Sequence, residues 1–389
     1  MKNKVGPPVE GEDFFGREKE LKFAFNQIED GNSLLLAAPR RVGKTSFAKK
    51  LIVMADARSW RILEINLEGI KSEPQFIKTF IKDLQKKTWW GSLSKAIRNN
   101  IGSLLEQIDV SIEKDGLKGS VAWKAKRKEV FEKLENLFEH NKNTLIMIDE
   151  LGVLLNTYRE DVETGITNAE SLLNWFRSLR QKSETQIRWI FCSSIGIKNF
   201  TNRHNISYTI NDIEPFKLKT FDKPLAKGLI EKLAESKGFE LTDIIIEKML
   251  EKIDWYLPYF VQLLFKEIHR LNQVEELPVD KKLVDVAYER LIKNQYFDTW
   301  DERLKYYYEV EITSRKILNR LCQNPEGESR KLLFDLIHQA SDPREETEKE
   351  LGQIIGMLTN DGYIYQHQNE KFLFRSPFLR DYWYNKFIR

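Results

Sequence analysis

Short apolar runs alternate with longer amphipathic stretches over the first half of the chain, and this pattern predicts strands separated by helices. The run at 144–149 is almost continuously apolar, as expected for a strand buried on both faces of a parallel sheet. The segments between the runs have helical periodicity. The pattern therefore predicts a doubly wound α/β core, with strands at 33–37, 61–67, 144–149, 188–193 and 208–213.

The second half of the chain is helical by pattern. Stretches at 223–237, 242–253, 258–271 and 279–293 carry apolar residues at three- and four-residue spacing, and Pro258 suits a first helical turn. After residue 299, three helical stretches precede two alternating strands around a polar turn, which is the pattern of a winged helix. We predict an α/β core at 1–215, a helical domain at 216–298 and a winged-helix domain at 299–389.

The junction between the first strand and the next helix carries a pattern typical of phosphate binding. It ends in the Gly-Lys-Thr triplet of a P-loop, with Ala38 where that pattern has its first glycine. Backbone N–H groups at a helix N-terminus point at phosphate oxygens, and the helix dipole adds partial positive charge. We expect Lys44 to reach the β- and γ-phosphates and Thr45 to hold Mg²⁺. The predicted nucleotide-binding residues are Pro39, Arg40, Arg41, Val42, Gly43, Lys44, Thr45 and Ser46.

Two carboxylates follow the apolar run of the third predicted strand. Asp149 ends this run and is expected to hold the Mg²⁺ shell together with Thr45. Glu150 is expected to orient and polarise the attacking water, so that Glu150 and Lys44 are predicted catalytic residues. The alternatives are an ordinary strand–loop–helix junction and a surface turn that begins with two acids.

With these motifs the chain resembles the AAA+ and STAND group of P-loop ATPases, most closely the archaeal-type ATPase branch related to origin-recognition proteins. Residues 39–46 are similar to the P-R-R-x-G-K-T-S loop of that branch. Residues 14–21 look like its F-x-G-R-E-x-E-L box, which implies that Gly16 and Arg17 lie near the adenine. The resemblance implies ATP or ADP and Mg²⁺ as ligands, and hydrolysis of ATP to ADP and phosphate.

The resemblance covers nearly the whole chain. Residues 188–196 look like the sensor-1 strand, whose terminal polar residue contacts the γ-phosphate or the water, and this implies catalytic roles for Ser193 and Ser194. A later stretch resembles the G-x-P segment of the lid, with Tyr256 in place of glycine, and implies that Pro258 lies near the nucleotide. The helical domain is therefore expected to be a lid, and the closing residues also resemble the C-terminal domain of the archaeal-type ATPases.

Composition narrows the class of protein. A chain of 389 residues with 41% hydrophobic and 31% charged residues can form two or three domains with hydrophobic cores and charged, solvated surfaces. No apolar stretch approaches the roughly 18 residues of a membrane span, so we expect a cytoplasmic protein without a membrane role. Cys192 and Cys322 are too few for a disulfide framework and are not spaced for a metal, so we expect core thiols and no structural metal.

A long segment at 71–143 is inserted in the core, is mostly helical by pattern and has a possible short hairpin around 115–116. Two basic clusters, at 82–98 and 114–128, are interleaved with tryptophans. Such a surface can follow a phosphate backbone and stack on bases, so DNA is a candidate partner, although a solvated basic face is the alternative. The side chains concerned are Lys82, Lys86, Lys87, Lys95, Arg98, Lys114, Lys118, Lys124, Lys126, Arg127 and Lys128, with Trp89, Trp90 and Trp123.

Two functions remain open. The first is an ATPase that acts on a partner, possibly DNA, through a homo-oligomer in which an arginine of a neighbour completes the site. Arg177, Arg180 and Arg203 are the candidates, and a surface ion pair is the alternative for each of them. The second is a nucleotide-gated switch of STAND type with very slow hydrolysis, an unidentified protein partner and no DNA role. The helix that would enter a DNA groove begins with five acids and two bases over 342–350, which repels phosphate and disfavours DNA binding by that helix.

Overall fold

The structure is a computed structural model whose contacts divide the chain into two compact units. The α/β unit comprises Arg17–Ala37 and Lys44–Lys217, and the helical unit comprises Met1–Gly16, Ala38–Gly43 and Leu218–Arg389. The structure describes residues 1–113, 117–135, 138, 142–161, 163–182, 186–193 and 196–389.

A five-stranded parallel sheet forms the centre of the α/β unit, with the strand order β2-β3-β4-β1-β5. Four of the predicted strands are confirmed. The prediction for the fifth is wrong, because Ser207–Ile210 form a 3₁₀ turn and the strand follows it. This strand contains Pro215 and lies at the sheet edge, where proline is tolerated. The strands are β1 (Leu34–Ala37), β2 (Arg61–Asn66), β3 (Thr144–Asp149), β4 (Ile187–Ser193) and β5 (Glu214–Lys217).

Helices flank this sheet and bury its apolar side chains. In the core, the ring of Phe176 packs on those of Trp189 and Phe191, which are themselves stacked 5.6 Å apart. The buried Cys192 has a free thiol, as predicted. The helices are α1 (Glu18–Glu29), α2 (Lys44–Asp56), α3 (Glu73–Gln85), α4 (Lys95–Glu113), α5 (Leu117–Glu135), α6 (Leu151–Thr157), α7 (Gly165–Gln181) and α8 (Ile197–Arg203).

The insertion between β2 and β3 is helical, as predicted, and α4 packs against α5. The hairpin predicted around 115–116 falls between the end of α4 and the start of α5. Residues 114–116 themselves lie outside the described part of the chain.

From Leu218 onward, the helical unit begins with the helices predicted to form the lid, and a strand pair precedes its last helix. The predicted pair of alternating strands is confirmed as an antiparallel ladder of β6 (Ile364–Gln366) and β7 (Phe372–Phe374). Cys322 is buried with a free thiol, again as predicted. The helices are α9 (Lys223–Glu235), α10 (Asp243–Ile253), α11 (Pro258–Glu275), α12 (Lys281–Leu291), α13 (Asp298–Arg303), α14 (Glu311–Gln323), α15 (Arg330–Ile337), α16 (Arg344–Asp361) and α17 (Pro377–Phe387).

None of the helices in the described part of the chain has the length and apolar character needed to cross a membrane.

Candidate functional site

The carboxyl ends of three neighbouring strands bring the predicted site residues of the α/β unit to one edge of the sheet. Ala37 at the end of β1 is in register with Ser193 at the end of β4, and Asp149 at the end of β3 is in register with Cys192. In open α/β sheets, ligands bind outside this edge. The register thus brings Asp149 and Ser193 to this edge of the sheet, and their predicted roles stay predictions.

Helix α2 begins with three predicted site residues, and one of them contacts the third strand. The Thr45 hydroxyl donates a hydrogen bond to Oδ2 of Asp149 at 2.7 Å. Lys44 and Ser46 on either side are buried. A hydroxyl and a carboxylate this close supply the hard oxygen ligands that Mg²⁺ prefers, so these two residues fit the predicted metal.

The carboxyl group of Asp149 is held in an unfavourable environment for its charge. Burial raises the pKa of Asp149 above its ordinary value, and the charge of Glu150 adds to the rise. The hydrogen bond from Thr45 and the positive charge of Lys44 act in the opposite direction. Because these two groups offset only part of the burial penalty, a cation bound at Asp149 would relieve the remainder.

Glu150 occupies a strained backbone position at the start of α6. Its φ of +60° lies in the left-handed region, where a side chain costs free energy. Two hydrogen bonds from the Glu150 N–H hold the turn, one to the Cys192 carbonyl at 2.9 Å and one to Oδ1 of Asp149 at 3.1 Å. Such strain is typical of functional positions.

The Ser193 hydroxyl accepts a hydrogen bond from the Gly152 N–H at 3.2 Å, so it supports the first turn of α6, directly after Glu150. The catalytic role predicted for Ser193 stays a prediction. The predicted catalytic Ser194 lies outside the described residues.

In the helical unit, the loop Ala38–Gly43 contacts segments that are far away in the chain. Val42 is buried, Pro39 and Arg40 are partly buried, and Gly43 has a left-handed φ of +96°. An added Cβ on Gly362, which follows α16, would lie 3.0 Å from Cβ of Pro39. Sequence reasoning missed this contact, because nothing near either residue in the chain signals it.

The residues implied to lie near the adenine or the lid occupy different elements. Gly16 has a φ of +69°, and a Cβ there would lie 2.8 Å from a methyl carbon of Leu225, so glycine is needed for close packing on α9. Arg17 precedes α1, where it is buried and donates to Glu20 at 3.0 Å, and burial lowers the pKa of Arg17. Pro258 is the first residue of α11.

Two of the predicted nucleic-acid contacts in the insertion are wrong. Trp123 Nε1 donates to Oε2 of Glu73 at 2.8 Å, and Arg127 donates to both oxygens of the same carboxylate at 2.6 and 2.7 Å. Arg127 also donates to the Ser171 hydroxyl, so these side chains fasten α5 to α3 and α7. A buried carboxylate needs such donors, and they are not available to DNA. Trp89 and Trp90 pack partly buried against the core, Lys126 and Lys128 remain exposed, and Lys114 lies outside the described residues.

Two of the arginines predicted to complete a neighbouring site are engaged within the α/β unit. Arg177 donates to the Tyr208 carbonyl, and Arg180 forms an ion pair with Asp212 at 2.8 Å. These contacts agree with the alternative of surface pairing for the two arginines, and a role toward a neighbouring subunit stays a prediction. Arg203, at the end of α8, stays a prediction.

The parallel sheet, its flanking helices and the loop before α2 define the P-loop NTPase fold, and solved structures match it over nearly the whole chain. A Walker-type ATPase of Pyrococcus abyssi matches with a TM-score of 0.67 at 17% identity, over 98% of this chain and 99% of that one. The ORC2 protein of Aeropyrum pernix matches in its ADP form with a TM-score of 0.50 at 12% identity, over 97% and 98% of the two chains. In its ADPNP–ADP complexes, ORC2 matches with a TM-score of 0.51 at 14% identity, over 99% of this chain and 96% of that one.

No protein-family model and no curated protein matches the sequence. At these identities the structural likeness shows the fold alone. The fold of those solved structures is a parallel sheet flanked by helices and followed by helical segments, so the fold class expected from the sequence is confirmed.

Replacing Asp149 with asparagine is expected to stabilise the nucleotide-free chain at pH 7 by a few degrees in melting temperature. Because burial raises the pKa of Asp149, the ionised carboxylate is less favourable in the folded chain than in the unfolded one, and stability falls as pH rises through the ordinary and then the raised value. The gain should therefore disappear below the ordinary pKa range of aspartate. Melting curves from about pH 3 to 7 check this, because the lower limit lies about one unit below the ordinary aspartate pKa of about 3.9.

The exposed Asp56 at the end of α2 offers the matched control, and Asp56→Asn should leave the pH dependence unchanged. An Asp149→Asn chain that is less stable than the parent at pH 7 would show that the carboxylate stabilises the fold instead.

Proposed function

We propose that this chain binds ATP with Mg²⁺ and hydrolyses it to ADP and phosphate. The single observation that carries the proposal is the 2.7 Å hydrogen bond between Thr45 and Asp149, residues 104 positions apart. It joins the hydroxyl of the Gly-Lys-Thr triplet to a carboxylate at the carboxyl end of a parallel strand, which is the ligand pair expected of a P-loop NTPase.

The predicted residues of the phosphate loop, the metal site and the lid have separate roles in this proposal. Backbone N–H groups of residues 39–46 bind the phosphates, Lys44 balances their charge, and Thr45 and Asp149 hold the metal. Bound Mg²⁺ would neutralise phosphate charge that develops during hydrolysis. Glu150 polarises the attacking water, while Gly16, Arg17 and Pro258 contribute to the base and lid contacts.

The domain roles are part of the same proposal. Residues 1–215 act as the nucleotide-binding core, 216–298 as the lid and 299–389 as a winged-helix domain that transmits the nucleotide state to a partner. A protein partner and self-assembly fit this arrangement, and the exposed Lys126 and Lys128 of the insertion are the side chains through which DNA would be engaged.

A nucleotide-gated switch with very slow hydrolysis is the second candidate function. The observation that favours it is the charge at the start of α16, where Glu345, Glu346 and Glu348 are exposed. An exposed acidic helix start repels the DNA backbone, and the internal pairing of Arg127 removes a cation from the other candidate DNA surface. Both observations disfavour DNA as the partner.

Steady-state ATP hydrolysis tests the proposal, measured with and without duplex and single-stranded DNA at two salt concentrations. Glu150→Gln is expected to keep ATP binding and to lose turnover by about 100-fold or more, because it removes the group that polarises the water. Glu132→Gln, at an exposed carboxylate on α5, is the matched control and should hydrolyse ATP at the parent rate.

The outcomes separate the candidates. Hydrolysis by Glu150→Gln at the parent rate would show that another residue acts as the base. Stimulation by DNA that weakens with added salt would support a DNA-associated ATPase. Slow turnover that DNA does not change would support the switch.

A further inference from the structure

Three segments that are distant in the sequence meet around the side chain of Arg41 in the helical unit. Its Nη1 donates to the Gly6 carbonyl oxygen at 3.1 Å, and its guanidinium carbon lies 4.8 Å from the centre of the Tyr259 ring. One turn further along α11, the Gln262 carbonyl accepts a hydrogen bond from the Asn3 side chain at 3.0 Å. The side chain of Arg41 is therefore held between the N-terminal segment and the first turn of α11.

The backbone of Arg41 explains why such a contact is needed. Its φ of +67° lies in the left-handed region, which favours glycine and costs free energy for any other residue. Strained residues persist only where their surroundings determine the conformation. Arg41 lies three residues before Lys44, inside the predicted phosphate loop, and left-handed residues help to turn successive N–H groups toward one anion.

The Arg41 guanidinium has few partners among the described residues. No carboxylate among the described residues forms an ion pair with it, and its buried Nε has no hydrogen-bond partner in that part of the chain. The contacts with the Gly6 carbonyl and the Tyr259 ring therefore determine where this guanidinium lies. A cation over an aromatic face and a charge-assisted hydrogen bond are both directional enough to hold it.

We propose that Gly6 and Tyr259 are positioning residues for nucleotide binding: they hold the Arg41 guanidinium, and through it the left-handed backbone that the phosphate loop needs. The proposal rests on the proposed function, since it assumes that the loop binds a nucleotide. The proposal also assigns a role to the N-terminal segment: its contact with Arg41 slows dissociation of the bound nucleotide. When the contact is lost, the Arg41 backbone leaves the left-handed region and nucleotide dissociates faster.

The experiment measures release of a fluorescent ADP analogue, chased with excess ADP, from the full chain. Arg41→Met removes the contact, but methionine still has a free-energy cost for a positive φ. Arg41→Gly removes both the contact and this cost. We expect Arg41→Met to release the analogue about tenfold faster than the parent, because a cation–π contact and a hydrogen bond are lost. Arg41→Gly should be much closer to the parent, within about threefold, because glycine adopts a positive φ without cost.

Substitutions on α11 test the same contact without changing the loop. Tyr259→Leu removes the aromatic face and should behave like Arg41→Met, while Tyr259→Phe keeps the face and should lose far less. Arg58→Met is the matched control, because it removes a guanidinium that lies 4.3 Å from the Phe25 ring in the α/β unit. It should leave ADP release unchanged.

Each outcome decides the proposal. Equal acceleration by Arg41→Met and Arg41→Gly would show that Arg41 contacts phosphate directly, and release that neither Arg41→Met nor Tyr259→Leu changes would show that the contact does not act on the loop. Either result overturns the positioning role. A parent chain that does not bind the analogue overturns the proposed function instead, and the positioning role with it. Should Arg41→Met fail to fold, the release rates of Tyr259→Leu and Tyr259→Phe still test the positioning role.

Discussion

Lys44→Ala is expected to weaken ATP binding by about 100-fold or more, because the phosphates lose a buried, charge-assisted donor. Lys44 is the first residue of α2 and is only 7% exposed, so its charge acts where water screens it little. Its effect on a neighbour is already visible, since it lowers the pKa of Asp149 against the effect of burial.

Calorimetric titration with ATP and with ADP measures this loss directly. Lys50→Ala on the same helix is the matched control and should leave the affinity unchanged. The thermal stabilisation by saturating ATP should also disappear in Lys44→Ala and persist in Lys50→Ala, because a ligand stabilises only the state that binds it. An unchanged affinity of Lys44→Ala would contradict the P-loop assignment.

Arg303→Met is expected to lower the free energy of unfolding of the helical unit by about 3–5 kcal/mol, because it leaves a buried carboxylate unpaired. Arg303 donates to Asp361 through Nη2 at 2.8 Å and Nε at 3.1 Å, with side chains 2% and 11% exposed. The Tyr307 hydroxyl donates to the same carboxylate at 2.9 Å, but a single neutral donor does not replace the lost cation. Asp361 is the last residue of α16, so the end of that helix depends on this pair.

Urea unfolding followed by tryptophan fluorescence tests the effect, with separate transitions fitted if the two units unfold independently. Arg330→Met is the control, since it breaks the exposed pair of Arg330 with Glu348 and should cost less than about 1 kcal/mol. The double substitution Arg303→Met with Asp361→Leu should recover part of the loss, because no charge is then left buried. Equal, small losses in Arg303→Met and Arg330→Met would show that the buried pair contributes little.

Local pattern was sufficient for most of the fold. The run at β3 was recognisable because a strand buried on both faces must be apolar throughout, and the helices of the helical unit show the periodicity of one buried face. The edge strand β5 was missed because Pro215 within it usually argues against a strand, and only its place at the sheet edge makes proline acceptable. The insertion was misinterpreted for a similar reason, since a basic helix with one tryptophan has the same composition whether Trp123 faces solvent or the buried Glu73.

The sequence by itself determined the chemistry of the candidate site, because that chemistry depends on neighbours in the chain. Lys44 and Thr45 follow a glycine at a helix start, and Asp149 and Glu150 follow an apolar strand, whatever the rest of the molecule does. Only the tertiary structure decided that Thr45 contacts Asp149 and that Arg41 is held by Gly6 and Tyr259. These contacts join residues that are far apart in the chain, and packing of the whole core, which no local pattern encodes, brings them together.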